Sequence, residues 1–454
     1  MPSTKPPKGT KDLLPTAARQ RQAIVDVIER AYQAHGFEPL ATPSIERLDA
    51  LLGKYGDEGD QLIFRIMKRG ANLARALGKD PINQGALADL GLRYDLTVPL
   101  ARVAAEHQNE LPKHFKRYQI QQVWRADRPA KGRFREFSQC DVDIVGCASL
   151  GADAEVLSAA ATALRELGFK DAIFHTNHRD VLFGLIEAAG IDASLEGSTL
   201  VAVDKLDKIG WDGVTKELTE RGLNDTQIAA LRGMLETDGK QSNDAVLDRL
   251  ERDLASSQRG AKGVAELRQL LALCAHSPAA DYIHISPFLA RGLSYYTGPI
   301  FEVKTPQLAG SIAAGGRYDR LVGMFLGRDV PAVGFSLGLE RLEFVMDALG
   351  ITPQVGPAVD VCVATFGDLG HATMLASKLR QAGLRVDLHA EDTRLGKQFK
   401  YAQQRGVSLV AFAGSNEAAE GNAVLKNLAT GQQETLALDG LVEAIRAQLG
   451  QEQA

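Results

Sequence analysis

Cysteine and tryptophan are scarce in this 454-residue sequence, which contains four of the first and two of the second. The four cysteines form no Cys-X-X-Cys pair, so they supply neither a disulfide framework nor a recognisable zinc site. They are Cys140, Cys147, Cys274 and Cys362. We therefore expect reduced, buried thiols and no metal site built from protein side chains.

Long apolar runs are also absent. No run of about 18 uncharged apolar residues occurs, so the sequence predicts no membrane-spanning helix. The first twenty residues lack the apolar centre of a secretory signal. Together with the reduced thiols, these absences predict a cytoplasmic protein with no membrane partner.

Neither sign of charge dominates, because 52 Lys and Arg residues face 57 Asp and Glu residues. Apolar residues make up 45% and charged residues 24%, which is typical of a globular protein and excludes wholesale disorder. With a net charge of −5, contact with nucleic acid has to use local basic patches. The length exceeds the roughly 250–300 residues that one hydrophobic core can support, so we expect two or three domains.

Changes in pattern along the chain predict the domain organisation. Apolar residues at helical spacing predict helices over 17–35 and 153–167, with an extended segment at 37–46 between them. From 195 to 277 the periodicity is helical and no strand is evident, whereas short apolar strands alternate with helical segments after a proline-containing linker. The predicted boundaries are 1–194 and 278–352 for one interrupted domain, 195–277 for a helical insertion, and 357–454 for an α/β domain ending in a hairpin.

The segment 113–145 carries most of the chemistry. Residues 113–135 hold three Lys and five Arg against a single acidic residue, Asp127, in a chain that is acidic as a whole. The sequence of this segment predicts two strands joined by a cationic loop. Period-two alternation then places polar side chains on one face, which are Arg117, Gln119, Gln121, Arg125, Arg133, Arg135, Gln139, Asp141 and Asp143. Long polar side chains of both signs favour a substrate site over a merely solvated face.

Three further clusters accompany this segment. Asp95 and Thr97 lie in what we predict to be a short extended run. Arg291 stands alone before the paired tyrosines Tyr295 and Tyr296. Near residue 315, a Gly-Gly pair precedes a strand, a glycine and a helix that begins beside Arg341, and glycines allow a ligand to approach the backbone. The predicted buried stripe of that helix consists of Leu339, Leu342, Met346 and Leu349.

These motifs together resemble the class II aminoacyl-tRNA synthetases, and in particular the histidyl-tRNA synthetase family. GFEPLATPSIE resembles motif 1, WRADRPAKGRFREF resembles motif 2 and GFSLGLERL resembles motif 3. RGLSYYTGPIFE and AAGGRYD are similar to the two histidine signatures, and the tail, with its segments 392–407 and 419–433, resembles the anticodon-binding domain. The resemblance covers nearly the whole chain in at least five ordered motifs.

The resemblance implies an α+β fold, in which an antiparallel catalytic sheet with a six-stranded core carries a helical insertion and is followed by an α/β anticodon-binding domain. It also implies a homodimer formed through motif 1. The implied partners are L-histidine, ATP with Mg²⁺ and histidine tRNA. The implied reaction forms histidyl-adenylate and pyrophosphate, and then transfers the histidyl group to the 3′ end of the tRNA.

Roles come from the resemblance position by position. Arg125 would hold the α-phosphate and the histidine carboxylate, and Arg291 would be the family's particular catalytic cation, which also contacts histidine. The remaining ATP-binding residues would be Arg133, Arg135 and Arg341. The remaining histidine-binding residues would be Asp95, Thr97 and Gln139 at the ammonium end, and Asp143, Tyr296 and the adjacent Tyr295 at the imidazole.

Two departures from the family pattern stand out. Ser294 occupies the place of a usual aspartate in the first histidine signature, which alters the local hydrogen bonding. In the motif 2 loop, where Arg128 and Lys131 would face the tRNA acceptor end, Ala130 replaces a glutamine that is associated with the extra 5′ guanylate of histidine tRNA. We therefore expect this chain to depend little on that nucleotide.

Two other functions remain open at this stage. A catalytically inactive paralogue of the family serves histidine biosynthesis as a regulatory subunit, and it commonly lacks the carboxy-terminal domain and motif arginines. A class II-like domain with another ligand is the third possibility. The retained arginines and residues 357–454 argue against the regulatory subunit, and the paired histidine signatures argue against the other ligand.

Overall fold

A computed structural model describes residues 2–54, 56–78, 84–236, 241–290, 295–308 and 310–452. The chain forms two compact units, Met1–Pro353 and Gln354–Ala454. No helix in these described ranges is both long and apolar enough to cross a membrane.

The first unit contains eleven strands among its described residues. They are β1 (Glu38–Pro39), β2 (Ile45–Arg47), β3 (Arg65–Met67), β4 (Ala88–Leu92), β5 (Phe115–Trp124), β6 (Glu136–Val145), β7 (Ile173–His178), β8 (Ile283–Ile285), β9 (Pro299–Lys304), β10 (Ser311–Arg317) and β11 (Ala332–Gly338).

The described helices of this unit are α1 (Pro15–Ala34), α2 (Leu48–Leu51), α3 (Gly56–Gln61), α4 (Gly70–Leu77), α5 (Thr97–Glu106), α6 (Leu150–Glu166), α7 (Arg179–Ala188), α8 (Glu196–Val203), α9 (Leu206–Glu220), α10 (Asp225–Leu235), α11 (Asn243–Asp253), α12 (Gln258–Cys274), α13 (Gly323–Leu326) and α14 (Leu339–Leu349). Single 3₁₀ turns occur at Gln84–Leu87 and Ala193–Leu195.

Eight strands form the main sheet in the order β1-β5-β6-β11-β10-β9-β7-β8. The six central strands are all antiparallel, whereas β1 and β8 add in parallel at the two edges. One face is covered by α1 and α6, whose apolar stripes bury residues such as Ile28 and Leu157 against Val142 and Phe335. The antiparallel sheet with a six-stranded core is therefore confirmed, as are the helices predicted over 17–35 and 153–167.

The predicted strand pair is confirmed, but both strands are shorter than predicted. Strand β5 ends at Trp124 and β6 begins at Glu136, so Arg125, Arg133 and Arg135 lie in the connecting loop. The loop turns at Gly132, whose φ is 70°, and an isolated bridge joins Ala130 to Arg133. This local turn ends the regular alternation that the prediction extended to residues 125 and 133.

The predicted extended run around Asp95 is wrong. Thr97 is the first residue of α5, and Oδ1 of Asp95 accepts a hydrogen bond from the backbone N–H of Val98 at 3.1 Å. Pro99 is tolerated because the first turn of a helix needs no backbone donor there. One member of the predicted stripe on α14 is also wrong, since Leu349 is 39% exposed at the helix end.

Between residues 195 and 277 the described residues are helical and contain no strand. Their apolar core includes Leu247, Leu254 and Leu267, and it continues into Leu185 of α7 and Ile285 of β8. The boundaries of the insertion therefore stay predictions.

The second unit has a sheet of its own in the order β13-β12-β14-β15-β16. Its elements are β12 (Val361–Val363), α15 (Leu369–Gln381), β13 (Val386–Leu388), α16 (Leu395–Gln404), β14 (Leu409–Phe412), α17 (Ser415–Ala419), β15 (Asn422–Asn427), β16 (Gln433–Ala437) and α18 (Leu441–Glu452). The first three strands in this order are parallel, and β15 and β16 form the predicted terminal hairpin. The α/β prediction is confirmed.

Candidate active site

A cleft of about 400 Å³ opens on the main sheet, on the face opposite α1 and α6. Nine of the residues predicted for the site line this cleft, and they are Asp95, Thr97, Arg125, Arg133, Gln139, Asp143, Tyr295, Tyr296 and Arg341. They come from β6, from the ends of other strands, from the loops and from the starts of α5 and α14, so the fold collects groups that are up to 246 positions apart in the chain.

Glycines on two adjacent strands make room for these side chains. Gly334 on β11 pairs with Asp143 on β6, and a Cβ atom added at Gly334 would lie 1.8 Å from Oδ1 of Asp143. A Cβ atom added at Gly316 would lie 2.9 Å from the ring of Tyr296. Both contacts are shorter than atoms tolerate, so the positions of Asp143 and Tyr296 in the cleft require glycine at residues 334 and 316.

A buried acidic group lies at the centre of the cleft. Asp143 is 2% exposed; its Oδ1 accepts a hydrogen bond from the Tyr318 hydroxyl at 2.5 Å, and its Oδ2 lies 2.9 Å from Nη2 of Arg117. Asp141, two residues earlier on the same face, is equally buried and lines the cleft. Burial raises the pKa of Asp143, and it raises the pKa of Asp141 to about 7, while the Arg117 charge opposes both shifts.

Residues that can form hydrogen bonds flank Asp141 and Asp143 on both sides. Nε2 of Gln139 donates to Oγ of Ser336 at 2.7 Å, which fixes the amide against the neighbouring strand. On the other side, the buried Asp95 closes the first turn of α5, and Thr97 is half-buried at the edge of the cleft. This end of the cleft therefore offers acceptors to a ligand that carries positively polarised N–H groups.

Arg125 marks the other end of the cleft. Its guanidinium carbon lies 4.2 Å from the ring centroid of Tyr94 and 5.1 Å from that of Phe137, and its Nε donates to the Tyr94 carbonyl at 3.1 Å. These contacts orient the planar group. Among the described residues, neither terminal nitrogen of Arg125 has a hydrogen-bond or carboxylate partner. The geometry therefore suits an anionic ligand that binds both nitrogens.

Two more arginines line the cleft near this end. Arg133 is exposed and lies 3.4 Å from Oδ2 of Asp127, which is itself in the loop. Arg341 stands in the first turn of α14 and donates from Nη1 to the carbonyl of Ser311. The neighbouring Glu340 forms an ion pair of 2.9 Å with Arg21 of α1, so the Arg21 guanidinium compensates its negative charge.

Four predicted residues do not line the cleft. Arg128, Ala130 and Lys131 are exposed at the tip of the loop, where Nζ of Lys131 lies 4.9 Å from the ring centroid of Phe344. Arg135 is turned away, because its backbone N–H donates to the Gly9 carbonyl and its Nε donates to the Asp127 carbonyl.

The predicted Arg291 and Ser294 lie outside the described residues. The tyrosines that follow them are described: the rings of Tyr295 and Tyr296 meet edge to face with centroids 5.0 Å apart. Tyr295 is buried and also contacts Tyr318 edge to face, at 6.0 Å between centroids.

Sequence reasoning missed Tyr94 and Tyr318, and it placed Arg117 and Asp141 on the polar face without giving them a role. The period-two pattern contained a signal for the last two, because an arginine on the same face as two aspartates of the neighbouring strand can form an ion pair with them. Tyr318 stands inside the second histidine signature, but only the pairing of β10, β11 and β6 brings it to Asp143.

The described residues contain no group of three or more His, Cys, Asp and Glu side chains that could hold a metal ion. The cleft thus combines a carboxylate pocket for a cationic or N–H-bearing ligand with arginines for an anion, in one continuous cavity.

Comparison with known protein families agrees with this arrangement. A family model described as histidyl-tRNA synthetase matches residues 9–342, and a model described as an anticodon-binding domain matches residues 360–448. The histidine–tRNA ligase of Flavobacterium johnsoniae is 38% identical, over 97% of this chain and 98% of that protein.

Solved structures show the same relationship. The histidyl-tRNA synthetase from Nostoc sp. PCC 7120 is 32% identical, covers 99% of this chain and all of its own, and has a TM-score of 0.80. A Bacillus halodurans structure described as an ATP phosphoribosyltransferase regulatory subunit/histidyl-tRNA synthetase has a TM-score of 0.71 at 21% identity, over 90% of this chain and 98% of its own, which shows a shared fold.

Proposed function

The chain belongs to the histidyl-tRNA synthetase family, and we propose that the cleft of its main sheet binds histidine and ATP side by side. The chain activates L-histidine with ATP, which releases pyrophosphate, and then transfers the histidyl group to histidine tRNA. The observation that carries the assignment of the cleft is its division into a buried carboxylate pocket and an arginine-lined end within one cavity.

Activation requires a carboxylate to attack an α-phosphorus that is surrounded by negative charge. Cations that are already oriented lower this barrier, because they stabilise the charge in the transition state without having to reorganise. Arg125 is oriented by Tyr94 and Phe137, and we assign it to the α-phosphate and the histidine carboxylate. Arg133 and Arg341 are assigned to the rest of ATP. The role of Arg135 in ATP binding stays a prediction, since its side chain does not line the cleft.

Arg291 is proposed as the second cation at the reacting phosphate. This role comes from the family motif, and the residue lies outside the described part of the chain. Mg²⁺ is proposed to enter with ATP, because Mg²⁺ is commonly bound through substrate phosphates and water rather than by a protein cage. Such a metal would neutralise phosphate charge, whereas the arginines of the chain orient the nucleotide.

At the other end, the imidazole is assigned to Asp143, with Tyr296 on the opposite ring nitrogen and Tyr295 beside it. The ammonium group is assigned to Asp95, Thr97 and Gln139. An imidazole presents one N–H donor and one acceptor nitrogen, so a fixed carboxylate and a hydroxyl match its two edges. A pocket built for that pattern discriminates strongly against a side chain that lacks it.

Replacing Asp143 by asparagine is expected to raise the KM for histidine about tenfold to a hundredfold, or roughly 1–3 kcal/mol, because a charged acceptor for the ring N–H is lost. The KM for ATP should change less than about threefold in the same assays, since Asp143 lies at the histidine end. Histidine-dependent exchange of pyrophosphate into ATP measures both constants. Asparagine is preferable to alanine, because it keeps the volume beside Tyr318.

Asp153→Asn provides the matched control. Asp153 is completely buried and paired with Arg317, and neither residue is among the described lining of the cleft. This variant should lose stability but keep the KM for histidine. Equal rises in the KM for histidine and for ATP in Asp143→Asn would show that Asp143 only supports the fold.

The exchange assay also separates the enzyme from the regulatory-subunit alternative. A regulatory subunit would show no histidine-dependent exchange. The family match over nearly the whole chain, the arginines at the cleft and the second unit all favour the enzyme.

We propose that two copies of the chain associate through the small sheet β2-β4-β3, which contains the end of motif 1. Ile45, Met67 and Leu90 expose 48%, 56% and 37% of their surface there. Ile45 pairs with Leu92, so it shares a face with Leu90. Adjacent exposed apolar side chains are typical of an interface, and the mass in solution, measured by light scattering, tests the dimer.

A cytoplasmic location is proposed as well. All four cysteines are unpaired thiols, which is the usual state in a reducing compartment. Cys140 and Cys362 are buried in the cores of the two units, where oxidation would disrupt the packing.

The exposed tip of the loop between β5 and β6 is proposed to contact the acceptor end of the tRNA. Alanine at position 130 offers a methyl group where a glutamine would offer a donor and an acceptor to a guanine edge. Arg128 and Lys131 keep the loop cationic, so contact with phosphate is retained while base reading is lost. We expect removal of the extra 5′ guanylate to lower the charging efficiency by less than about tenfold, as measured with two tRNA transcripts.

The variant Ala130→Gln is the matched comparison, since it restores the amide without changing the charge of the loop. It should increase the preference for the transcript that carries the guanylate. A loss of about a hundredfold or more for the unaltered chain, or roughly 2.7 kcal/mol, would show that another side chain reads that nucleotide.

A further inference from the structure

Arg117 lies next to the carboxylates that face the cleft, on the neighbouring strand β5. It is completely buried, and it stands opposite Asp143 on the paired strand. Its Nη2 is 2.9 Å from Oδ2 of Asp143 and 3.9 Å from Oδ2 of Asp141. Both aspartates line the cleft, whereas Arg117 is not part of its described lining. A ligand in the cleft therefore meets the carboxylates and not the guanidinium.

The same guanidinium also contacts the opposite side of the pocket. Its Nη2 donates to the carbonyl of Leu96 at 3.4 Å, and its Nη1 donates to Oε1 of Gln119 at the same distance. Leu96 stands between Asp95 and Thr97, which both line the cleft. One side chain thus connects β6, which carries Asp143, with the turn that begins α5.

The charge of Arg117 matters as much as its position. Burial raises the pKa of both Asp141 and Asp143, and Arg117 acts in the opposite direction on each. Without it, the pKa of both carboxyl groups would rise further, which favours their protonated forms. A protonated carboxyl group donates a hydrogen bond from the oxygen that holds its proton, so it matches an imidazole N–H less well.

We propose that Arg117 is the positioning residue of the histidine pocket, which holds Asp143 ionised and turned toward the cleft so that it accepts a hydrogen bond from the imidazole N–H. This inference rests on the proposed function, because it presupposes that Asp143 contacts the imidazole. Arg117 touches neither substrate, and it acts on histidine selection through Asp143.

Other charged or titratable groups near Asp143 do not supply this cation. The described charged or titratable groups around it are Arg117 on β5, Asp141 on β6, Tyr318 after β10, Asp95 before α5 and the cleft tyrosines Tyr295 and Tyr296, while Tyr32 on α1 lies on the other face of the sheet. Within this described set, Arg117 alone is a cation. Its replacement by a neutral side chain therefore shifts the pKa of Asp143 upward.

The test compares Arg117→Met with Arg117→Lys in the full-length chain, by histidine-dependent pyrophosphate exchange. At about pH 7, Arg117→Met should raise the KM for histidine about a hundredfold and leave the KM for ATP within about threefold. At about pH 8.5 the defect should shrink severalfold, because the ionised fraction of Asp143 increases with pH. Arg117→Lys keeps the charge but loses the planar guanidinium with its two terminal nitrogens, so it should raise the KM for histidine about tenfold at both pH values.

Arg317→Lys is the matched control, since Arg317 is a buried arginine paired with the buried Asp153 outside the described lining of the cleft. It should leave the KM for histidine within about threefold of the unaltered chain. If circular dichroism shows that Arg117→Met does not fold, the inference is tested with Arg117→Lys and with the double variant Arg117→Lys/Asp143→Asn instead. The double variant should show no higher KM for histidine than Asp143→Asn alone.

An unchanged KM for histidine in a folded Arg117 variant would overturn the inference, as would an equal rise in the KM for ATP. A defect of Arg117→Met that is the same at both pH values, or a control that is as impaired as Arg117→Lys, would also overturn it. Failure of the proposed function looks different, since the unaltered chain would then show no histidine-dependent exchange, or Asp143→Asn would keep its KM for histidine.

Discussion

Replacing Arg125 by alanine is expected to slow histidine-dependent pyrophosphate exchange by about a hundredfold to a thousandfold, or roughly 3–4 kcal/mol in the transition state. The guanidinium is held between the rings of Tyr94 and Phe137, and its Nε is bound to a backbone carbonyl. These contacts leave its terminal nitrogens available to an anionic ligand in the cleft. An oriented cation of this kind acts mainly on the transition state, so kcat should fall more than either KM rises.

Arg30→Ala controls for the loss of any arginine, because Arg30 is an exposed residue of α1, on the face of the sheet opposite the cleft. It should keep the exchange rate within about threefold. Arg125→Lys is informative as well, since a lysine keeps the charge but cannot bind two oxygens in one plane. If Arg125→Ala exchanges pyrophosphate at the rate of the unaltered chain, Arg125 has no role in the reaction.

Removing residues 354–454 is expected to lower the charging of histidine tRNA by about a hundredfold or more, roughly 2.7 kcal/mol, while exchange is largely kept. The second unit has its own sheet and its own apolar cores, which contain residues such as Leu409, Leu441 and Val410. The first unit contains the whole described cleft. The two measured activities should therefore separate, because only the second step requires tRNA.

The exchange assay on the truncated chain serves as its own control for folding. If exchange and charging are lost together, the truncated chain has to be compared with the full chain by circular dichroism and by mass in solution. If charging stays at the level of the full chain, residues 354–454 do not bind the anticodon.

Much of the fold could be predicted because its signals are local. The apolar stripe of α1, the glycine after α6 and the turn that joins the two strands of the terminal hairpin each lie within a few residues of the element that they define. The ordered motifs also identified the residues at both ends of the cleft, since the chemistry of ATP and histidine restricts which side chains can bind them. Ala130 and Ser294 were likewise visible as departures in the sequence itself.

The sequence pattern gave the wrong local structure at two places in the predicted site. Asp95 and Thr97 follow a strand and precede a proline, so the sequence favours an extended run, yet the side chain of Asp95 closes the first turn of α5. Arg135 continues the alternation of β6, but the backbone of Gly9 lies against it and turns it away from the cleft. The outcome at Arg135 depends on a chain segment that pattern reasoning does not place, whereas the turn at Asp95 is made within residues 95–98 and was missed because only periodicity was considered there.

The sequence by itself therefore determined which side chains are available, on which strand face they stand and which reaction they suit. Only the tertiary structure decided that Gly334 would lie beside Asp143, that Tyr318 would donate to it and that Arg117 would be buried behind it. Alternation along one strand is set by its own backbone geometry. The order and register of strands that are nearly two hundred residues apart depend instead on how the whole sheet buries its apolar face, and that determines the charge and the shape of the pocket.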